Sequence, residues 1–122
     1  MQLQEDWLMR QINSMAQAIA KAIFGREEPE YLPDGEFPET DPLHGRLLDL
    51  LDQRQINEAE NLLFEQASED DIAYLLVAAD FYDRLGRMSA QELEEADFSH
   101  EEAVQGLRDF AGRFGVDFLN AE

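Results

Sequence analysis

The chain has 122 residues, enough for one domain with a modest core, and 44% of them are apolar, which excludes a disordered composition. Its 28 acids against 9 bases give a net charge of −19, a surface that repels phosphate backbones and anionic lipid heads, so neither direct nucleic-acid binding nor membrane association is expected. Cysteine is absent, which removes disulfides, thiolate metal sites and cysteine nucleophiles together and fits a cytoplasmic protein.

The charge is uneven. Residues 1–24 hold Glu5 and Asp6 against Arg10 and Lys21, while residues 25–122 hold 26 acids against 7 bases. A neutral arm precedes an acidic body. No apolar run reaches the roughly 20 residues that cross a bilayer. Residues 1–24 lack a basic start followed by an unbroken apolar run, so no signal peptide is expected there.

Residues 3–24 have the helical period. Leu8, Ile12, Met15, Ile19 and Ile23 fall on one narrow stripe, flanked by Ala16 and Ala20. Asp6, Arg10, Asn13, Ser14, Gln17 and Lys21 lie on the other side, and Gly25 is a natural cap. Trp7 and Phe24 fall outside the stripe. A stripe of five large apolar side chains must be covered, at about 1.5–3 kcal/mol for each one fully buried. The cover is the body of the same chain, a second copy, or another protein. The candidate interaction surface is therefore Trp7, Leu8, Ile12, Met15, Ile19, Ile23 and Phe24, with a homodimer through helix 1 as one form of it.

Residues 25–41, "GREEPEYLPDGEFPETD", contain Pro29, Pro33 and Pro38 and the turn signal Asp34-Gly35. They read as an acidic linker laid over the surface by Tyr31, Leu32 and Phe37, long for a loop inside a compact domain. Residues 42–122 read as an acidic helical bundle, with the whole chain forming one domain. Asp41-Pro42 is a capping residue followed by proline at the first helical position, ahead of Leu43, Leu47, Leu50 and Leu51. A tight turn falls at residues 52–57, with Asn57 as cap and Glu60 three residues on. The next helix carries Ala59, Leu62 and Leu63. Ser68 with Asp71 opens residues 72–85, "IAYLLVAADFYDRL", apolar nearly all round and hence the central helix. Gly86 ends it. Ser89 with Glu92 opens a short helix, and Ser99 with Glu102 opens the last, which carries Ala103, Val104, Leu107, Phe110, Ala111 and Phe114 and stops at Gly115. No stretch alternates with period two, so the fold class is all-α with six helices.

Acid-rich sequences invite a metal site. Asp41/His44 and Asp97/His100 are the two Asp-x-x-His pairs. Both sit at helix starts, where acids are favoured by unpaired amides and the dipole, and neither has the mid-helix placement of a di-iron bundle. No metal or other cofactor is expected, and a carboxylate-based metal protein or hydrolase is the alternative. Nucleophilic catalysis finds no support: there is no Gly-x-Ser-x-Gly, and Ser68, Ser89 and Ser99 read as caps. Tyr74, Phe81 and Tyr82 sit at helical spacing and read as core in preference to a ligand pocket. The acid runs at 27–30, 69–71 and 92–97 read as solvated helix starts and faces. Their sharper alternative is a nucleic-acid mimic, which needs charges ordered at duplex spacing. An in-plane membrane anchor through helix 1 is a further alternative, with only Arg10 and Lys21 to attract anionic lipid.

Asp6-Trp7-Leu8-Met9-Arg10-Gln11-Ile12 resembles the start of a family of small uncharacterised all-helical proteins from Gram-positive bacteria, and "MSAQELEEADFSHEE", residues 88–102, echoes a later phrase of that family. The resemblance implies a leading helix on a helical body and supplies no catalytic residue. Residues 43–67 are similar to a tetratricopeptide-type hairpin with Ala59, Leu62 and Leu63 packing inward, although Leu47 replaces a usual small residue and no 34-residue repeat follows. The expected function is a non-enzymatic protein-interaction or adaptor role with a protein partner.

Overall fold

In the computed structural model, which describes residues 2–118, six helices follow one another without a strand among the described residues. They are α1 (Gln2–Phe24), α2 (Asp41–Asp52), α3 (Ile56–Gln66), α4 (Ala73–Gly86), α5 (Ala90–Glu95) and α6 (His100–Arg113). The all-α reading holds. Helix α4 is the axis of the bundle: it touches α1, α2 and α6, and from Leu75 to Asp83 every residue is buried. An apolar sequence without a polar stripe can satisfy itself only in that position.

Helix α1 lies across α4 and α6. Ile12, Met15 and Ile19 are buried against them, and Ala16 and Ala20 are fully enclosed, so the helices approach closely. Burial of the three large side chains stabilises the fold by several kcal/mol, at about 1.5–3 each. The cover for the middle of the predicted stripe is the protein's own body. Its ends are less covered: Leu8 is half-buried, and Ile23 is exposed. Asn13 turns out not to face solvent. Its side-chain amide donates to the Asp83 carboxylate at 2.6 Å and to the Asp83 carbonyl at 3.2 Å, across the α1–α4 contact.

Two glycines set the spacing of this contact and its neighbour. A Cβ on Gly86 would stand 2.9 Å from Asn13 Nδ2 and 3.0 Å from Ile12 Cγ2. A Cβ on Gly106 of α6 would strike the Tyr82 hydroxyl and the Glu60 carboxylate. Both are therefore packing residues, and Gly86 does more than end a helix.

Residues 25–40 are a strap on the body. Pro29, Tyr31 and Thr40 are buried, whereas Leu32 is exposed and takes no part in holding it down. Phe37 packs edge-on to Phe24 and beside Tyr31. Three of the expected caps fall differently. Thr40, not Asp41, precedes α2 and makes no capping bond, because its hydroxyl serves Tyr31. Asn57 lies inside α3 and donates to the Asp97 carbonyl at 3.0 Å, so it caps nothing. Ser68 and Asp71 each close a local turn, on Asp70 N and Ala73 N, rather than capping α4 together. Ser89 with Glu92 forms the full reciprocal capping box, and the Ser99 hydroxyl accepts from Glu102 N at 3.1 Å.

The α2–α3 turn lacks glycine because Arg54 takes the left-handed conformation, φ 61°. Gln55 N then donates to Leu50 O at 2.9 Å and Arg54 N to Leu51 O at 2.9 Å, the double closure usually given to glycine. Asp97, φ 59°, closes α5 the same way. Helices α3 and α6 meet through Phe64 and Phe110, edge to face at 5.2 Å, with the Arg113 guanidinium 5.0 Å above the Phe64 ring.

Gly86→Ala should cost about 1–3 kcal/mol, since the extra carbon must displace α1. Gly45→Ala, on an open face of α2 with nothing within 4 Å, should stabilise by about 0.5–1 kcal/mol through helix propensity alone. Urea unfolding of the two variants checks both signs.

Candidate functional site

Two places bring chemistry together: a buried polar knot under the strap, and an apolar groove on the outer side of α1.

The knot is built on Asp80. An acid in the most apolar helix needs donors, and it finds three from three elements. His44 Nε2–H donates to Asp80 Oδ2 at 2.7 Å from α2, Arg84 Nε donates to the same oxygen at 2.9 Å one turn along α4, and Tyr31 N donates to Oδ1 at 3.3 Å from the strap. Burial pushes Asp80 upward, but the hydrogen bonds of His44 and Arg84 and the Arg84 charge outweigh it, and the carboxyl is held below its ordinary range. His44 stacks on Tyr31 with ring centres 4.5 Å apart, and its Nδ1 is buried without a hydrogen-bond partner. The Tyr31 hydroxyl donates to the Asp41 carboxylate and accepts from the Thr40 hydroxyl at 2.6 Å. Burial and the Asp41 carboxylate push that phenol far above the usual range. Asp41 thus serves Tyr31 and not His44, and the Asp41/His44 pair is divided. His100 donates or accepts at the Met88 carbonyl; a carbonyl only accepts, so Nε2–H donates, at 2.8 Å. Among the described residues no three His, Asp or Glu side chains gather to hold a metal ion.

A part-buried pair lies between α3 and α4. The Tyr82 hydroxyl donates to Glu60 at 2.6 Å. Burial raises Glu60, and the charges of Glu102 and Asp109 raise it further against the opposing Tyr82 bond. Tyr82 and Phe81 are core residues, in ring contact at 5.0 Å, and Tyr74 is half-buried.

The groove has a different character. It holds about 350 Å³ and is lined by Trp7, Arg10, Gln11, Ser14 and Ala18 along α1, with Met15 beneath and Phe118 as the far wall. Trp7 is 52% exposed, an unusual state for the largest apolar side chain in the protein. Of the seven residues expected on the interaction surface, Trp7 and Met15 line the groove. Ile12, Met15 and Ile19 are in the core, where α4 and α6 of the same chain cover the middle of that stripe. Leu8 is half-buried, Ile23 is exposed, and Phe24 packs on Phe37. Gln11, Ser14, Ala18 and Phe118 complete the groove. The polar-face periodicity marked Ser14 as outward, but no local signal linked α1 to a side chain more than a hundred residues later.

Asp80 ties the pH response to the fold. Its folded value is depressed, so its stabilising effect is complete above the ordinary value near 4 and is lost as pH falls through the lower folded value. Asp80→Ala should cost about 3–5 kcal/mol by leaving His44, Arg84 and Tyr31 N unpaired, read from urea unfolding at neutral pH. Glu60 works in the opposite sense. Its folded value is raised, so stability increases as pH falls through that raised value, and the gain is complete below the ordinary value near 4.5. Glu60→Gln, which keeps an oxygen for Tyr82, should raise the melting temperature at pH 7 and flatten that increase in a melt series.

No helix of the described residues is long and apolar enough to cross a membrane. Comparison with curated proteins and with solved structures found no match. A family model described as a family of unknown function, DUF6483, matches residues 2–115, nearly the whole chain. The leading-helix signature, the buried α4 and the capped α5–α6 segment all fall inside that match, and the chain belongs to this family, DUF6483.

Proposed function

We propose that this protein is a non-enzymatic protein-interaction module of the cytoplasm, docking a partner through the groove beside Trp7. The observation that supports this reading is the exposed indole beside an apolar groove on the one helix whose charges cancel. The buried polar groups argue in the same direction. Asp80, Asp83, Tyr31, His100 and Glu60 are each engaged in bonds that hold elements together, and none is directed into the groove. The groove offers apolar contact area with Arg10, Gln11 and Ser14 at its rim, the composition of a small interface centre with a polar border.

Trp7→Ala should lower the amount of partner captured from the native cell by about tenfold or more, as truncation of a central aromatic anchor does. The same substitution should change unfolding free energy by less than about 1 kcal/mol, because the side chain is half exposed. A partner yield unchanged by Trp7→Ala would refute the groove as the docking site.

A further inference from the structure

The α2–α3 hairpin is joined to the body in a way the other long helices are not. Helices α1, α4 and α6 pack on one another at close backbone range, whereas α3 has its close backbone partner in α2 and reaches α4 and α6 through side chains. Asn57 donates to the Asp97 carbonyl, Arg113 to the Phe64 carbonyl and Arg54 to the Glu92 carboxylate, so donor meets acceptor at each of these ties. Glu60 stands against like charge. Its carboxylate accepts from the Tyr82 hydroxyl in the notch left by Gly106, and Glu102 and Asp109 lie about one turn to either side of that notch on the same face of α6.

The donors on those two acids are neutral: the Ser99 hydroxyl for Glu102 and the Gln105 amide for Asp109. The neighbouring bases are directed elsewhere. Arg113 lies over the Phe64 ring, Arg54 holds Glu92, and Arg108 borders the space beside Gly112 and Phe118. Arg46 of α2 borders a groove on the hairpin together with Glu58 and Glu65 of α3. We propose that the hairpin is a proton-closed latch: with Glu60 ionised, repulsion from Glu102 and Asp109 swings α3 off α4 and α6 about the His44–Asp80 anchor of α2, and with Glu60 protonated α3 seats. A neutral carboxyl keeps an oxygen for the Tyr82 bond and loses the repulsion. The swing uncovers the edge-to-face contact of Phe64 on Phe110, an apolar surface that the closed form hides.

Burial and the two facing acids raise Glu60 in the closed form, and opening returns it toward its ordinary value near 4.5. Closure therefore binds a proton. Opening becomes rarer as pH falls through the raised value, by up to about tenfold per pH unit, and levels off below the ordinary one. Asp80 and Glu92, both held below their ordinary ranges, keep their charges and their ties to His44 and Arg54 across that window.

Native-state hydrogen exchange of the full chain in low urea, from neutral pH down to about 4.5 and corrected for intrinsic rates, tests the proposal. At neutral pH the α3 amides should exchange through an opening more frequent than that of α4 and only weakly dependent on urea, because little surface is exposed. That opening should become rarer with falling pH by the factor above. Glu60→Gln should hold α3 near its low-pH protection at every pH. Asp109→Asn, at an exposed position, should move the transition to lower pH without abolishing it. Exchange of α3 only together with α4, at the same urea dependence, would overturn the latch. So would an α3 opening that ignores pH, or one whose pH dependence survives Glu60→Gln.

Discussion

The architecture depends on one carboxylate placed where carboxylates are costly. Asp80 sits in the middle of the most apolar helix, and its two oxygens collect donors from the strap, from α2 and from α4 itself. An unpaired charge at that depth would be strongly destabilising, so the three donors must arrive together. That requirement fixes where Tyr31 enters the core, orients the His44 ring beneath it, and brings the start of α2 against α4. The acid supplies little net stability of its own. Its effect is to make one arrangement of the strap far better than any other.

Around that point the packing is conventional helix-on-helix burial, adjusted by absences. Gly86 allows Ile12 and Asn13 to reach α4, and Gly106 allows Tyr82 and Glu60 to meet beneath α6. Both positions would look like helix-weakening residues if judged by propensity. Their value lies in the distance between axes, which a single methyl group would change. The pair Asn13–Asp83 shows the same logic in polar form: a residue on the hydrophilic side of α1 is drawn inward because an acid of α4 requires a donor there.

The acidity is unevenly distributed over the fold. The body's bases are largely committed to its own acids, in pairs such as Arg84–Asp80, Arg87–Asp83, Arg26–Glu36 and Arg54–Glu92. What remains is a negative body carrying a neutral helix on its outside. On that helix the inner face is consumed by folding, and the outer face keeps a half-exposed tryptophan beside an apolar groove. The helix whose charges cancel is therefore also the one that exposes Trp7.

The sequence by itself determined the helices. Period 3.6 placed α1 and α6, the all-round apolarity of residues 72–85 marked α4 as central, and Ser89 and Ser99 announced the last two starts, because these signals are local and the physics that makes them acts within a turn or two. It also identified Trp7 as the residue left over from the stripe. Only the tertiary structure decided which molecule covers the stripe, since Ile12, Met15 and Ile19 look the same whether α4, a copy or a stranger lies over them. Tertiary contact likewise took Thr40, Asp41 and Asn57 away from capping, because each found a better partner far along the chain or across a loop. The groove was the least legible feature. Its walls, Trp7 and Phe118, stand at opposite ends of the described sequence, and only folding makes them neighbours.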